Sequence, residues 1–439
     1  MIEQAPSRAF VGPDRPFPGL RPFDTPDCEF FFGREKQVRS LYRLLDLSRF
    51  VSVVGSSGSG KSSLVRAGVL PKLDRERAQS GGRPWRFFTM HPGDAPMRAL
   101  REGIMQLHRE VSATPESDDD AILHDRIELA LTGSSFGIVD ALREIPELLD
   151  QRVMIVVDQF EELFRFGLGT ATSASRAVLR NEAVSFVQLL LEAARTPDAA
   201  VNVLITMRSD FIGDCANFQG LPEVVSGAQF LVPSLSRDQR EDVIREPIRM
   251  ANATIEPALV ERLLNDGGNE SDQLPVLQHC LARMWTLQQP SRRLDLDAYR
   301  RAGGIKDALS QHADEIMASP ELDGLDGVVE QVFRSLAERD RDGRETRRAI
   351  PFGQLVDETG CDPRDVRAVV DRFRADDCGF LLPSDAAEPR LGDGTRIDVV
   401  HEALLRRWYR ISDPESGWLT LEERDGRRYR ALLTWLEAG

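Results

Sequence analysis

Short apolar runs alternate with segments of helical spacing along the first half of the chain, and the alternation then stops. Val38, Leu41, Tyr42, Leu44 and Leu45 recur at the spacing of an amphipathic helix. Phe50 to Val54 is a largely apolar run of strand length. It ends in glycines and leads into a helical pattern carried by Leu64, Val65 and Gly68, which Pro71 is expected to stop. Trp85 to Met90 predicts a second strand, with helices near 97–110 and 121–132. The acidic run between them, Glu116, Asp118, Asp119 and Asp120, predicts a solvated loop. Val153 to Val157 is five consecutive apolar residues, four of them β-branched, which suits a parallel strand buried on both faces. A helix near 176–195 follows, with Val184, Val187, Leu190, Leu191 and Ala194 on one face. Val201 to Met207 and the shorter Gln229 to Val232 are two more strands. Strands separated by helices predict a parallel α/β sheet.

After Pro233 the strand signals end. Residues 236–318 predict helices only, broken at Gly267-Gly268 and Gly303-Gly304. From about 325 the pattern is mixed: helices over 328–338 and 363–374, then short strands over 380–383 and 396–400. That helix–helix–hairpin order suits a winged helix. No repeat of fixed period is visible. With 439 residues and roughly 150 per domain, about three domains are expected. The division read from the pattern is a leading segment rich in Pro, Gly and Arg (1–27), an α/β domain (28–233), an all-α lid domain (234–322), a winged-helix domain (323–411) and the start of a C-terminal helical segment (412–439).

Composition narrows the class. Lys and Arg total 56 against 71 Asp and Glu, a formal charge of −15, which argues against a broadly basic nucleic-acid binder. Hydrophobic residues at 41% and charged residues at 29% are ordinary for a soluble globular protein. No apolar run approaches the roughly 18–20 residues of a membrane span, and the N-terminus lacks the apolar stretch of a signal peptide. Five cysteines, Cys28, Cys215, Cys280, Cys361 and Cys378, share no metal-ligand spacing and predict free thiols in a reducing cytoplasm.

The chemistry begins at Gly55-Ser56-Ser57-Gly58-Ser59-Gly60-Lys61-Ser62, followed by Ser63, which fits G-x-x-x-x-G-K-[ST] between a strand and a helix. Glycines let consecutive N–H groups turn toward an anion, and the helix N-terminus adds positive charge. Lys61 is expected to reach the β- and γ-phosphates, and the Ser62 hydroxyl to ligate Mg²⁺. Such a loop needs a carboxylate on a neighbouring strand to hold Mg²⁺ through water. Asp158, ending the buried run Val153–Val157, supplies it where open α/β sheets place their ligands. Glu161 or Glu162 is a candidate to polarise an attacking water, the alternative being that both acids simply favour a first helical turn. Arg208, at the end of the strand from Val201, is placed to report a γ-phosphate, the alternative being an ion pair with Asp158 or Asp210.

These motifs resemble the STAND NTPases, specifically the novel-STAND group of bacterial signalling and defence proteins, from about Pro16 onward. Pro18-Gly19-Leu20-Arg21-Pro22-Phe23 and Phe31-Phe32-Gly33-Arg34-Glu35 look like its N-terminal signature. The resemblance places Phe32, Gly33 and Arg34 near the adenine. It makes Asp158 with Glu161 and Glu162 the acidic motif and Arg208 the sensor arginine. Leu274-Pro275-Val276-Leu277 resembles the proline motif opening a lid helix, and Val400-His401-Glu402 the winged-helix histidine motif. In the family that histidine contacts the β-phosphate of ADP in the closed state; on residue type alone, His401 is a structural residue.

The implied function is a cytoplasmic signalling switch that is closed with ADP, binds ATP and Mg²⁺, oligomerises with itself when ATP-bound and hydrolyses ATP slowly as a reset. Sensor and effector modules are expected to lie outside these residues. The tryptophans Trp408, Trp418 and Trp435 mark either packing onto an absent module or a local helical cap. A DNA-remodelling ATPase of the AAA+ kind is the first rival. Its recognition helix would carry Arg364, Arg367, Arg372 and Arg374, but Asp365, Asp371, Asp376 and Asp377 balance them, so nucleic-acid binding is not expected; nor, without a span-length apolar run, is a membrane partner. The others are a small-molecule kinase, disfavoured by the extra helical domains, and a hydrolysis-silent scaffold that keeps ADP.

Overall fold

The computed structural model describes residues 11–12, 14–80, 83–112, 119–164, 173–268, 272–289, 291–339 and 345–424. The chain divides into two compact units. One is Arg34–Leu235; the other joins Met1–Gly33 to Ser236–Gly439.

The first unit runs α1 (Glu35–Leu47), β1 (Phe50–Gly55), α2 (Lys61–Ser63), a π-helical segment (Leu64–Val69), α3 (Leu70–Ser80), β2 (Trp85–Met90), α4 (Pro96–Val111), α5 (Asp119–Gly133), α6 (Gly137–Arg143), β3 (Arg152–Val157), α7 (Ser173–Arg195), β4 (Val201–Arg208), α8 (Leu221–Gly227) and β5 (Gln229–Leu231). Its five strands are parallel in the order β2-β3-β4-β1-β5. Every residue of β1 and β4 is buried, as expected of strands covered on both faces. Phe88, Ile104, Ile138, Phe186 and Leu190 belong to the core around them. The fold is an α/β parallel sheet carrying a phosphate-loop sequence between its first strand and the next helix, as the pattern predicted.

Three expectations for this unit need correction. Pro71 does not stop its helix, which continues to Ser80. The π segment just before it pairs Leu70 N–H with the Val65 carbonyl, five residues back. That widened turn relieves the clash a proline ring makes with the carbonyl four residues earlier. Asp119 and Asp120 are not loop residues: they begin α5, where acids suit a helix N-terminus. Glu116 and Asp118 lie outside the described residues. Finally, β3 is not hydrogen-bonded to β1, because β4 stands between them.

The second unit runs α9 (Arg237–Met250), β6 (Thr254–Ile255), α10 (Pro257–Asp266), α11 (Gln273–Leu287), β7 (Arg293–Leu294), α12 (Leu296–Arg301), α13 (Gly304–Met317), α14 (Asp326–Ser335), β8 (Ala337–Arg339), β9 (Glu345–Arg347), β10 (Ile350–Pro351), α15 (Phe352–Thr359), α16 (Pro363–Arg374), β11 (Leu381–Leu382), β12 (Arg396–Val399), α17 (Glu402–Arg407) and α18 (Tyr409–Ser412). Ser236 opens α9 with a capping box, its hydroxyl accepting from Gln239 N–H while the Gln239 side chain accepts from Ser236 N–H. The region after 236 is not purely helical: β6 and β7 form a short parallel ladder. The helix expected to reach 338 ends at Ser335, because Ala337–Arg339 pairs antiparallel with Glu345–Arg347. The first ladder pairs distant segments, which local periodicity does not encode; the second is a hairpin whose three-residue arms are too short to show a period.

The leading segment is folded into this unit. Val11, Phe17, Leu20 and Phe23 are buried. The fully buried Asp27 accepts from Val11 N–H at 2.7 Å and Asp24 N–H at 2.8 Å and pairs with Arg21 at 2.5 Å. Trp285 Nε1 donates to the Asp14 carbonyl at 2.7 Å. At the far end, Trp408 is fully buried against Phe333 and Trp418, its Nε1 donating to Asp314. The described tryptophans of the tail therefore form their unit's own core, while Trp435 and the helix expected around it lie outside the described residues.

Candidate functional site

Parallel registry aligns the ends of three strands. Gly55 of β1 sits opposite Arg208 of β4, and Val157 of β3 opposite Ile205 of β4. The phosphate-loop sequence, Arg208 and Asp158 therefore leave the sheet from one edge. Ser56 to Ser59 form the loop, Gly60 precedes α2, and Lys61, Ser62 and Ser63 make up that helix. Gly58 and Gly60 have φ of 67° and 85°, the left-handed region that glycine enters at little cost. A Cβ at Gly55 would lie 2.8 Å from Ser59 Oγ.

Lys61 Nζ donates to the carbonyls of Gly55 at 3.0 Å and Ser56 at 2.8 Å, so the ammonium is held at the loop. Arg34 closes the loop from the other side, donating to the Ser59 carbonyl at 2.9 Å and the Pro233 carbonyl at 2.6 Å. Burial lowers its guanidinium to about 10. Arg34 thus fastens the loop to the segment after β5 through backbone carbonyls.

Asp158 is 1% exposed and is the hub of the site. Its Oδ1 accepts from Ser62 Oγ at 2.8 Å and from Thr206 Oγ1 at 2.5 Å. Its Oδ2 pairs with Arg66 Nη2 at 3.1 Å, and His91 Nε2 lies 3.7 Å away. Burial alone would raise this carboxyl, but Arg66, His91 and Thr206 outweigh it and hold the group well below the usual carboxylate range. Gln159 follows with φ of 59°, its N–H donating to Thr206 Oγ1 at 3.1 Å. That turn starts the 3-10 segment Phe160–Phe164. From it Glu161 Oε2 accepts from Arg208 N–H at 3.3 Å, and Glu162 Oε2 from Gly93 N–H at 2.9 Å. Arg208 is buried, pairs with Asp210 at 2.7 Å and lies over the Phe211 ring at 5.6 Å.

The donor set fits an anion and a hard divalent cation. A serine hydroxyl and a carboxylate 2.8 Å apart are the oxygen ligands Mg²⁺ takes. Ser59 Oγ is buried without a hydrogen-bond partner among the described residues, an orphan of the kind a phosphate oxygen satisfies.

Within the first unit the structure brings together Arg34, residues 55–63, Asp158, Glu161, Glu162 and Arg208. Phe32, Gly33, Pro275 and His401 belong to the second unit. Gly33 has φ of 79°, and a Cβ there would lie 2.6 Å from the Gln239 carbonyl oxygen. Pro275 is the third residue of α11, where a missing N–H costs nothing. His401 caps α17, its Nδ1 accepting from Ala403 N–H at 3.0 Å. Its pKa is lowered, first by burial, so the ring is neutral with its proton on Nε2.

The sequence reading missed Arg66, His91 and Thr206. Arg66 stands four residues after Ser62, one turn along, a spacing that puts both on one helical face. Thr206 lies two residues before Arg208, on the same face of β4. His91 follows β2 directly and carries no spacing signal.

A family model described as Novel STAND NTPase 1 matches residues 16–436. No curated protein matches. Among solved structures, the chain is similar to the ORC1 protein of Aeropyrum pernix in complex with DNA, at 13% identity over 88% of this chain and 94% of that one, TM-score 0.42. It is also similar to a Walker-type ATPase of Pyrococcus abyssi, at 15% identity over 88% and 97%, TM-score 0.39. A third is Cdc6p of Pyrobaculum aerophilum, at 13% identity over 84% and 92%, TM-score 0.36.

Proposed function

The chain belongs to the novel STAND NTPase family, and from that premise we propose that it is an ATP/ADP-dependent signalling switch with slow ATP hydrolysis. The observation that carries the reading is Ser62 Oγ meeting Asp158 at 2.8 Å beside a glycine-rich loop that ends on Lys61. Lys61 and the loop N–H groups hold the phosphates. Ser62 and Asp158 hold Mg²⁺, which neutralises phosphate charge when bound. Arg208 registers the γ-phosphate, and Glu161 or Glu162 orients water. Phe32, Gly33, Arg34, Pro275 and His401 complete the ADP-closed form: the lid helices follow residue 234 and the winged helix residue 323. The His401 Nε2–H is the donor offered to a phosphate oxygen. ATP in place of ADP releases that arrangement and favours self-association, in bacterial signalling or defence.

The DNA reading has less support. Of the four arginines near α16, Arg372 pairs with Asp377, Arg374 with Asp371, and Arg367 donates to the Leu391 carbonyl. Side chains engaged inside their own unit are poor phosphate contacts.

Nucleotide extraction tests the closed state. Purified protein is expected to release ADP on denaturation and Lys61→Ala little or none. An empty wild-type site would overturn the reading.

A further inference from the structure

Asp158 meets a guanidinium that no part of the phosphate-loop motif requires. Arg66 lies on the π-helical segment Leu64–Val69, and its Nη2 is 3.1 Å from Asp158 Oδ2, with side-chain exposures of 13% and 2%. The other carboxylate oxygen is already taken by Ser62 Oγ and Thr206 Oγ1. Both oxygens are therefore engaged, one by hydroxyls and one by a cation.

A buried carboxylate keeps its charge only when a cation or several donors compensate it. Arg66 supplies that compensation from the chain itself. Mg²⁺ and its water ligands call on the same carboxylate. Two cations on one small anion repel, so they share it poorly.

We propose that Arg66 is a positioning residue that competes with Mg²⁺ for Asp158, balancing its charge so that a diphosphate is held with little help from metal. This rests on the phosphate-site reading above. With Arg66 on Oδ2 the carboxylate does not repel a nucleotide, and a metal must first displace the guanidinium. Without Arg66 the carboxylate keeps the two hydroxyls and His91 but loses its guanidinium, so nucleotide binding becomes metal-dependent. The device suits a switch whose resting state keeps ADP.

The test is the affinity for a fluorescent ADP analogue in MgCl₂ and in EDTA. For the wild type, the two dissociation constants are expected to agree within about threefold, and for Arg66→Gln and Arg66→Met the EDTA value is expected to rise at least about tenfold over the Mg²⁺ value. One variant keeps a hydrogen-bonding head and the other an apolar stem, so either folded protein gives the reading. Arg66→Lys, which keeps the charge, is expected to restore much of the wild-type ratio. A wild-type ratio above tenfold, or a variant with a normal melting curve and an unchanged ratio, would overturn the inference alone. A wild-type chain that binds no nucleotide in either buffer would overturn the phosphate-site reading and this inference with it.

Discussion

Asp158 follows β3 directly, with two hydroxyls on one oxygen and a guanidinium on the other. In the second unit, His279 of α11 and His312 of α13 stack with centroids 5.3 Å apart, and Phe380 leans on both. All three titratable groups are buried. Asp158 stays ionised, because the fold surrounds it with a cation and donors. The imidazoles stay neutral. Burial first, then Arg283, pushes His279 down to about 4, and burial, His279, Arg283 and Arg372 push His312 in the same direction. His279 Nε2 and His312 Nδ1 have no hydrogen-bond partner among the described residues. The contrast separates two uses of polar residues: charge is maintained where oxygen ligands are needed, and surrendered where rings serve packing.

The contrast breaks first at Asp158. Removing one member of a buried ion pair leaves the other uncompensated, so Asp158→Ala is expected to destabilise the first unit by about 3–5 kcal/mol. Urea unfolding followed through Trp85 measures it, since Trp285, Trp408 and Trp418 lie in the other unit. A loss below about 1 kcal/mol would mean that Asp158 is solvated rather than held by Arg66 and the hydroxyls.

Acid is expected to strike the histidine pair next. Both imidazoles have folded pKa values below their ordinary value, so between about pH 6.5 and 4 the unfolded chain binds protons the folded one refuses. Their contribution is fully present above 6.5 and is lost as pH falls through that window, by on the order of 3 kcal/mol for His279. Asp158 remains ionised throughout the same window. A double variant, His279→Leu with His312→Leu, is expected to flatten the pH dependence of unfolding seen by Trp285 and Trp408. An equally steep loss in that variant would assign the acid sensitivity to other groups.

Much of this was legible in the sequence, for physical reasons. The runs Phe50–Val54, Val153–Val157 and Val201–Met207 are buried on both faces, so they read as strands without ambiguity. The phosphate loop reads from Gly58, Gly60 and Lys61, because its chemistry dictates residue types at fixed spacing. Pro71 misled because a π turn absorbs a proline. The ladder of β6 with β7 was invisible because its partners lie far apart in sequence, and that of β8 with β9 because each arm is only three residues of largely polar, charged sequence. Arg66 and Thr206 escaped for a different reason: an arginine on a helix and a threonine in a strand are ordinary occupants, and only the fold brings them to one carboxylate.

Thr206 gives the finest test of the comparison, because it changes the donors around Asp158 without touching any charge. Its hydroxyl donates to Asp158 Oδ1 and accepts from Gln159 N–H, so it fixes both the carboxylate and the left-handed residue after it. Thr206→Val keeps the β-branched shape that β4 buries and removes both hydrogen bonds. The expected cost is about 1–2 kcal/mol in urea unfolding read at Trp85, less than Asp158→Ala because Arg66 and Ser62 still hold the carboxylate. Nucleotide affinity is expected to fall with it, since an unpinned Gln159 lets Asp158 leave Ser62. Should Thr206→Val instead match Asp158→Ala in stability, the hydroxyl rather than the guanidinium would be what keeps a charged group tolerable at that depth.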